Sequence, residues 1–195
     1  MTNSVVVGIT GNMGAGKSTA VKMIREMVVP VFEADKAVHI LMRDNRKMKA
    51  LFYRKFPESV VNDEIDRTVL SSLIKDGKLD VRQLEQMIYP FLEQELQNFF
   101  MRHNREPVVV LDVPLLFEAG WDKFCDEIIV VSAPAEVLRQ RVFERPGMTE
   151  EKYNALTARQ MPDEEKRQKA DYVIETQYGT EPVRQRLIEI MDEIK

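Results

Sequence analysis

Val5-Val6-Val7-Gly8-Ile9-Thr10-Gly11-Asn12-Met13-Gly14-Ala15-Gly16-Lys17-Ser18-Thr19 is the stretch whose reading decides the fold. Val5–Ile9 is a β-branched run that suits a short strand, and Ala20, Val21, Met23, Ile24 and Met27 then recur at helical spacing. Between them, Gly11–Ser18 matches G-x-x-x-x-G-K-[ST] in the strand, loop, helix context that this pattern requires. Glycines let the backbone curl so that its N–H groups face inward. The helix that follows adds about half a unit of positive charge beneath a bound phosphate. Gly11, Asn12, Met13, Gly14, Ala15, Gly16, Lys17, Ser18 and Thr19 are therefore the expected nucleotide-binding residues. Lys17 is expected at the β- and γ-phosphates and Thr19 beside the α-phosphate, while Ser18 offers a hydroxyl to Mg²⁺, a hard cation that prefers oxygen. ATP and Mg²⁺ are the implied cofactors.

Outward from this stretch, strands and helices alternate. A second strand is expected around Val29–Phe32, and the sequence from Lys36 to about Asn104 is mostly helical, too long for a connection between neighbouring strands. It reads as an inserted helical subdomain. Its longest helix, Val81–Met101, carries an apolar face of Val81, Leu84, Ile88, Phe91, Leu92, Leu96 and Phe99, with Pro90 expected to kink or break it. Continuous apolar runs at Val108–Leu111 and Ile128–Val131 suit parallel strands covered on both faces, and Ala170–Ile174 supplies the fifth. Val183, Leu187, Ile190, Met191 and Ile194 stripe the last helix. The expected fold is α/β: a three-layer P-loop NTPase type with a five-stranded parallel sheet, a helical insertion and a short lid.

Ligands of open α/β sheets bind at the carboxyl ends of the strands, so acidic residues there carry weight. Glu33 and Asp35 end the second strand, two apart and on one face if the chain stays extended. Asp35 suits a carboxylate that accepts a proton from an acceptor hydroxyl and aligns its oxygen for in-line attack; it equally suits the N-cap of the next helix. Asp112 closes Val108–Leu111 in the manner of a Walker B carboxylate that reaches Mg²⁺, and the adjoining Val113-Pro114 also fits a turn that uses Asp112 structurally. Arg139, Arg141 and Arg145 are expected on a helix begun by Ser132 and Pro134 and ended by Pro146-Gly147. Arg141 and Arg145, four apart, can clamp the charge that spreads over a transferring phosphoryl group. Thr149-Glu150-Glu151 opens a further helix that Arg159–Pro162 ends, and together they read as a mobile lid that keeps water from the γ-phosphate. Lys166–Lys169 reads as an exposed helix end.

With 195 residues and 44% hydrophobic content the chain holds one well-buried core. A net charge of −4 gives no field for a nucleic-acid backbone, so no nucleic-acid partner is expected. The N-terminal residues lack a basic leader with an apolar stretch behind it, and no run reaches bilayer-spanning length, so a cytoplasmic location without membrane contact is expected. Oligomeric state is open. The lone Cys125 reads as a packed thiol, Trp121 as packing, and His39 and His103 as surface or packing groups without metal-ligand spacing.

Taken together, these residues resemble the dephospho-CoA kinase family nearly end to end. Gly8-Ile9-Thr10-Gly11, Glu33-Ala34-Asp35, Ile65-Asp66-Arg67 with Leu70, Leu84-Glu85 before Tyr89-Pro90, and Pro114-Leu115-Leu116-Phe117-Glu118 carry the likeness. So do Arg141, Arg145, Gln160-Met161-Pro162 and Ala170-Asp171-Tyr172-Val173-Ile174. The resemblance implies ATP-dependent phosphorylation of the ribose 3′-hydroxyl of dephospho-coenzyme A, the last step of coenzyme A synthesis. It implies one kinase domain over residues 1–195, a coenzyme-binding insertion at 36–105, a lid at 145–165, and Asp35 as the catalytic carboxylate. Tyr89 stands where many members carry histidine, Glu33 where many carry aspartate, and the position of Asp112 is not uniformly acidic in the family. Another P-loop small-molecule kinase, such as one acting on nucleoside monophosphates, is the nearest alternative. A nucleotide-dependent interaction module is a remoter one, because Asn-Lys-x-Asp and Asp-x-x-Gly motifs are missing.

Overall fold

The computed structural model describes residues 4–194. The chain parts into two compact units, residues 33–102 and the remainder. The larger unit is built on a five-stranded parallel sheet, with β1 (Val5–Thr10) at its centre. Beside β1 on one side lies β5 (Val108–Asp112) and then β2 (Val31–Glu33); on the other lie β6 (Glu127–Ser132) and β7 (Tyr172–Glu175). The order is thus β2-β5-β1-β6-β7, with Val7 in register with Val110 and Gly8 with Ile128. Chain that leaves β1 emerges where its neighbours lead off in opposite directions, the switch point at which open α/β sheets bind ligands.

Both faces of this sheet are buried, which is why its strands read as continuous apolar runs. Val7, Ile9, Val108, Val110, Ile129 and Val131 point to one face. There they meet α1 (Lys17–Glu26), α6 (Ala135–Phe143) and α9 (Thr180–Ile194) through Ala20, Ile24, Leu138, Leu187 and Ile190. Val6, Val109, Leu111, Ile128 and Val130 point to the other face and are equally buried. Trp121 is 2% exposed, stacked on Phe32 and edge-on to Phe124, so the packing role expected for it holds. The edge strands sit slightly later than expected: β2 starts at Val31 rather than Val29, and β7 at Tyr172 rather than Ala170.

The smaller unit holds α2 (Ala34–Asp44), α3 (Arg46–Lys55), α4 (Arg67–Lys75) and α5 (Val81–Arg102). Helical sequence dominates, but a two-stranded hairpin, β3 (Val60–Val61) with β4 (Glu64–Ile65), lies within it. Its turn residues Asn62 and Asp63 have φ of 51° and 63°, the left-handed geometry of tight hairpins, and Lys49 donates to both the carbonyl and the carboxylate of Asp63 at 2.7 Å. Periodicity cannot show two-residue strands. Helix α5 runs through Pro90 without a break, so of the kink or break expected there the break does not occur. Proline removes one amide donor, and the buried stripe Met87, Ile88, Leu92, Leu96 and Phe99 secures the helix on both sides of it.

Candidate active site

Between β1 and α1 the loop Gly11–Gly16 folds back on itself, with the Ala15 amide donating to the Asn12 carbonyl at 2.9 Å. Gly14 has φ +89°, and a Cβ there would lie 2.6 Å from the Leu138 carbonyl oxygen. Gly16, at the N-cap of α1, also has φ +89°, a conformation side chains strain to adopt. Among the described residues no hydrogen bond takes the amides of Gly14, Gly16, Lys17 or Ser18. Four donors therefore stand free around the first turn of a helix, where its positive end lies. Ser18 and Thr19 are exposed there.

Lys17 reaches across this concavity to pair with Asp112 at the end of β5, both side chains being largely buried. The sheet accounts for the meeting, because Asp112 is in register with Ile9 on the adjacent strand. Asp112 thus sits among the loop's charged groups, with Lys17 as its partner. Hydroxyl and carboxylate oxygens are the donors here, and no cluster of three His, Cys, Asp or Glu residues occurs among the described residues. So small an all-oxygen set suits Mg²⁺ carried on phosphates rather than a cation held by protein alone.

Behind the loop, Arg141 of α6 donates to the Gly14 carbonyl at 3.3 Å, to the Thr176 hydroxyl at 2.8 Å and to the Thr176 carbonyl at 2.9 Å. Thr176 in turn donates to the Ala15 carbonyl at 2.9 Å, with the Ser132 carbonyl at 3.2 Å as an alternative acceptor. The residue just past β7 and one arginine thereby brace the loop. Beside them is a cavity of about 270 Å³ lined by Gly16, Thr19, Arg141, Thr176, Gly179 and Thr180. Thr176 was not singled out in the sequence, although its place at the carboxyl end of a strand is the signal that would have found it.

Several expectations need correcting. Helix α6 ends at Phe143, so Arg145 lies in the following turn, exposed, and shares no helical face with Arg141. Arg139 instead makes a bidentate pair with Glu150 and lies 4.6 Å from the Phe143 ring centre, tying α6 to α7 (Glu150–Thr157). Thr149 caps α7 by accepting from the Lys152 amide at 3.3 Å, as expected, and α7 buries none of its residues. The run from Lys166 is not simply an exposed helix end. Lys166, on α8 (Asp163–Lys169), is fully buried with its Nζ 2.9 Å from Glu118 Oε1. Arg167 is paired with Glu175 at 2.5 Å and donates to the Ser132 hydroxyl at 3.1 Å. Charge alone does not reveal which lysine of such a run faces inward.

Asp35, in the smaller unit, is exposed in the first turn of α2 and has no hydrogen-bonding or ionic partner among the described residues. The N-cap of α2 is Glu33, without a side-chain capping bond, so Asp35 is not the cap. Cys125 donates weakly to the Trp121 carbonyl at 3.7 Å. Burial, with Asp122 and Asp126 nearby, pushes its thiol up to about 12, which leaves no thiolate at neutral pH.

A parallel sheet with a braced phosphate loop at its switch point, a lysine in that loop and a loosely packed helix beyond α6 defines a P-loop kinase. The dephospho-CoA kinase family model matches residues 5–181. A dephospho-CoA kinase of Mesorhizobium japonicum is 44% identical over 98% of this chain and 97% of its own. The chain belongs to the dephospho-CoA kinase family. The crystal structure of TT1252 from Thermus thermophilus superimposes with a TM-score of 0.84 at 34% identity, covering 98% of both chains. A dephospho-CoA kinase from Campylobacter jejuni shares the fold at a TM-score of 0.72 and 24% identity, over 100% of this chain and 98% of that one. No helix among the described residues is long and apolar enough to cross a membrane.

Proposed function

We propose that the chain transfers the terminal phosphoryl group of ATP to the ribose 3′-hydroxyl of dephospho-coenzyme A, giving coenzyme A and ADP. The observation that carries the phosphate half of this reading is the set of unpaired amides at Gly14, Gly16, Lys17 and Ser18 at the head of α1. Those amides hold the phosphate oxygens, and Lys17 exchanges Asp112 for the β- and γ-phosphates when the nucleotide binds. Ser18 and Asp112 are the residues that would hold Mg²⁺, which would supply charge neutralisation to the phosphates. The nucleoside fits the cavity beside Gly16 and Arg141. Because Arg141 is committed to Gly14 and Thr176, its part is to shape the loop, and the exposed, unpaired Arg145 is the better donor to the transferring group.

For the acceptor, Asp35 orients the 3′-hydroxyl and accepts its proton. Its exposure without a partner supports that role. His39, Met42 and Arg43 follow Asp35 along α2 at spacings of four, seven and eight, one helical face. With Val61, Ile65 and others they line a groove of about 490 Å³ in the smaller unit, suited to the long arm of the acceptor. No covalent enzyme intermediate is required. Positioning is worth about 7–11 kcal/mol, whereas proton abstraction, at about 10²–10⁴-fold, is worth roughly 3–5 kcal/mol, so geometry dominates. The test is ADP release with ATP and Mg²⁺, with and without dephospho-coenzyme A and in parallel with nucleoside monophosphates, followed by mass analysis. Coenzyme A formed only with the first acceptor supports the reading; transfer to a monophosphate instead overturns it.

A further inference from the structure

Arg141 and Thr176 hold the Gly14–Ala15 side of the phosphate loop, and a different set of contacts holds its Asn12–Met13 side. The Met13 amide donates to Gln160 Oε1 at 3.1 Å, and the Asn12 side-chain amide donates to the Met161 carbonyl at 3.3 Å. Gln160 and Met161 lie between α7 and α8 and bury no large side chain of their own. They are held instead at Met161, whose amide donates to Glu118 Oε1 at 2.7 Å. The same oxygen is 2.9 Å from Nζ of Lys166. That ammonium has no solvent-exposed surface, and its angle to Glu118 falls short of a hydrogen bond, so its attraction to Glu118 is ionic.

A fully desolvated ammonium costs several kcal/mol, and an apolar side chain of similar volume would fill the same space without that cost. What the charge adds is a fixed place for the Glu118 carboxylate, whose bond to a backbone amide is the stronger, charge-assisted kind. This one oxygen joins the turn after β5 to the Gln160–Met161 turn and to α8 just beyond it, more than forty residues further along the chain. Through them the chain of contacts ends on the phosphate loop.

We propose that Glu118 and Lys166 are positioning residues for phosphoryl transfer, which fix Gln160–Met161 against Asn12–Met13 so that the loop keeps one shape. The proposal rests on the reading of Gly11–Thr19 as the phosphate-binding loop. Neither side chain touches a substrate; both act through Gln160 and Met161. They belong with Arg141 and Thr176 as the two halves of a brace.

The test is a kinetic cycle on the full chain with Glu118→Gln, Gln160→Ala and both together. Each single change is expected to lower kcat about tenfold while KM for dephospho-coenzyme A stays within about twofold. The double variant is expected to be no slower than the slower single one, because both changes break the same chain of contacts. A double variant about a hundredfold slow, or Glu118→Gln with wild-type kcat, overturns the proposal. Glu118→Gln combined with Lys166→Met removes both charges together and so avoids leaving one buried alone. It is expected to melt near the wild-type temperature and still turn over about tenfold slowly; wild-type turnover counts against the proposal. Hydrogen exchange at the Met13 amide is independent of any acceptor. Faster exchange in this neutral pair supports the brace, and unchanged protection overturns it even if the acceptor assignment has failed.

Discussion

Replacing Thr176 with valine keeps the shape of the side chain and removes one hydroxyl that joins three parts of the site. That oxygen donates to the Ala15 carbonyl at 2.9 Å and accepts from Arg141 at 2.8 Å, in a residue only 8% exposed. Arg141 keeps its bonds to the carbonyls of Thr176 and Gly14, so its guanidinium stays hydrogen-bonded in the variant. The loss is therefore mainly that of a neutral hydrogen bond with a buried carbonyl left behind, about 1–3 kcal/mol. For a chain of this size each kcal/mol shifts Tm by about 2–4 °C, so a loss of about 2 kcal/mol lowers Tm by about 4–8 °C. Because Ala15 lies within the phosphate loop, ATP binding should weaken as well, by up to about tenfold if about 1.4 kcal/mol of the loss falls on the bound form. Thermal unfolding followed by circular dichroism and ATP titration calorimetry measure the two effects. A Tm within about 1 °C of wild type together with unchanged ATP affinity would refute the reasoning that Thr176 ties the loop to β6 and α6.

Lys17→Ala should abolish phosphoryl transfer and leave the far-ultraviolet dichroism spectrum intact; retained turnover would remove Lys17 from the phosphate site. Asp35→Asn should lower kcat by about 10²–10⁴-fold with ATP affinity little changed, since the role proposed for the carboxylate is on the acceptor. Near-wild-type kcat would end its proposed role. Cys125 should resist alkylation by iodoacetamide at pH 8 in the native protein and react readily after unfolding, because its native thiol ionises only near pH 12. The sign of the linked stability follows. An unfolded thiol ionises from about pH 9 while the native one stays protonated, so the unfolded state binds fewer protons and stability falls as pH rises through that window. Equal alkylation rates in the native and unfolded protein would contradict this.

Much of the fold was legible because local chemistry encodes it. Gly14 and Gly16 adopt a backbone conformation that side chains strain to reach, so their spacing ahead of Lys17 marks the loop without knowledge of any neighbour. Continuous runs such as Val108–Leu111 mark strands covered on both faces, and the stripe from Val183 to Met191 marks α9. The family motifs completed the reading from the residues alone. Where the expectations failed, distant partners decide the outcome. Lys166 and Lys169 look alike in sequence, yet only Lys166 is fully buried, because Glu118 lies at the point where its side chain arrives. Arg141 and Arg145 stand four apart, yet α6 ends between them and only Arg141 meets Gly14 and Thr176. Of the kink or break expected at Pro90, the break does not occur, because buried side chains on both sides offset the lost hydrogen bond. The sequence by itself determined the phosphate loop, the alternation that builds the sheet, and the family. Only the tertiary structure decided which charges are buried, which arginine braces the loop, and that Thr176 and Glu118 belong to its support. Backbone conformation and periodicity are properties of neighbouring residues, whereas burial and ion pairing are properties of whatever the fold brings alongside.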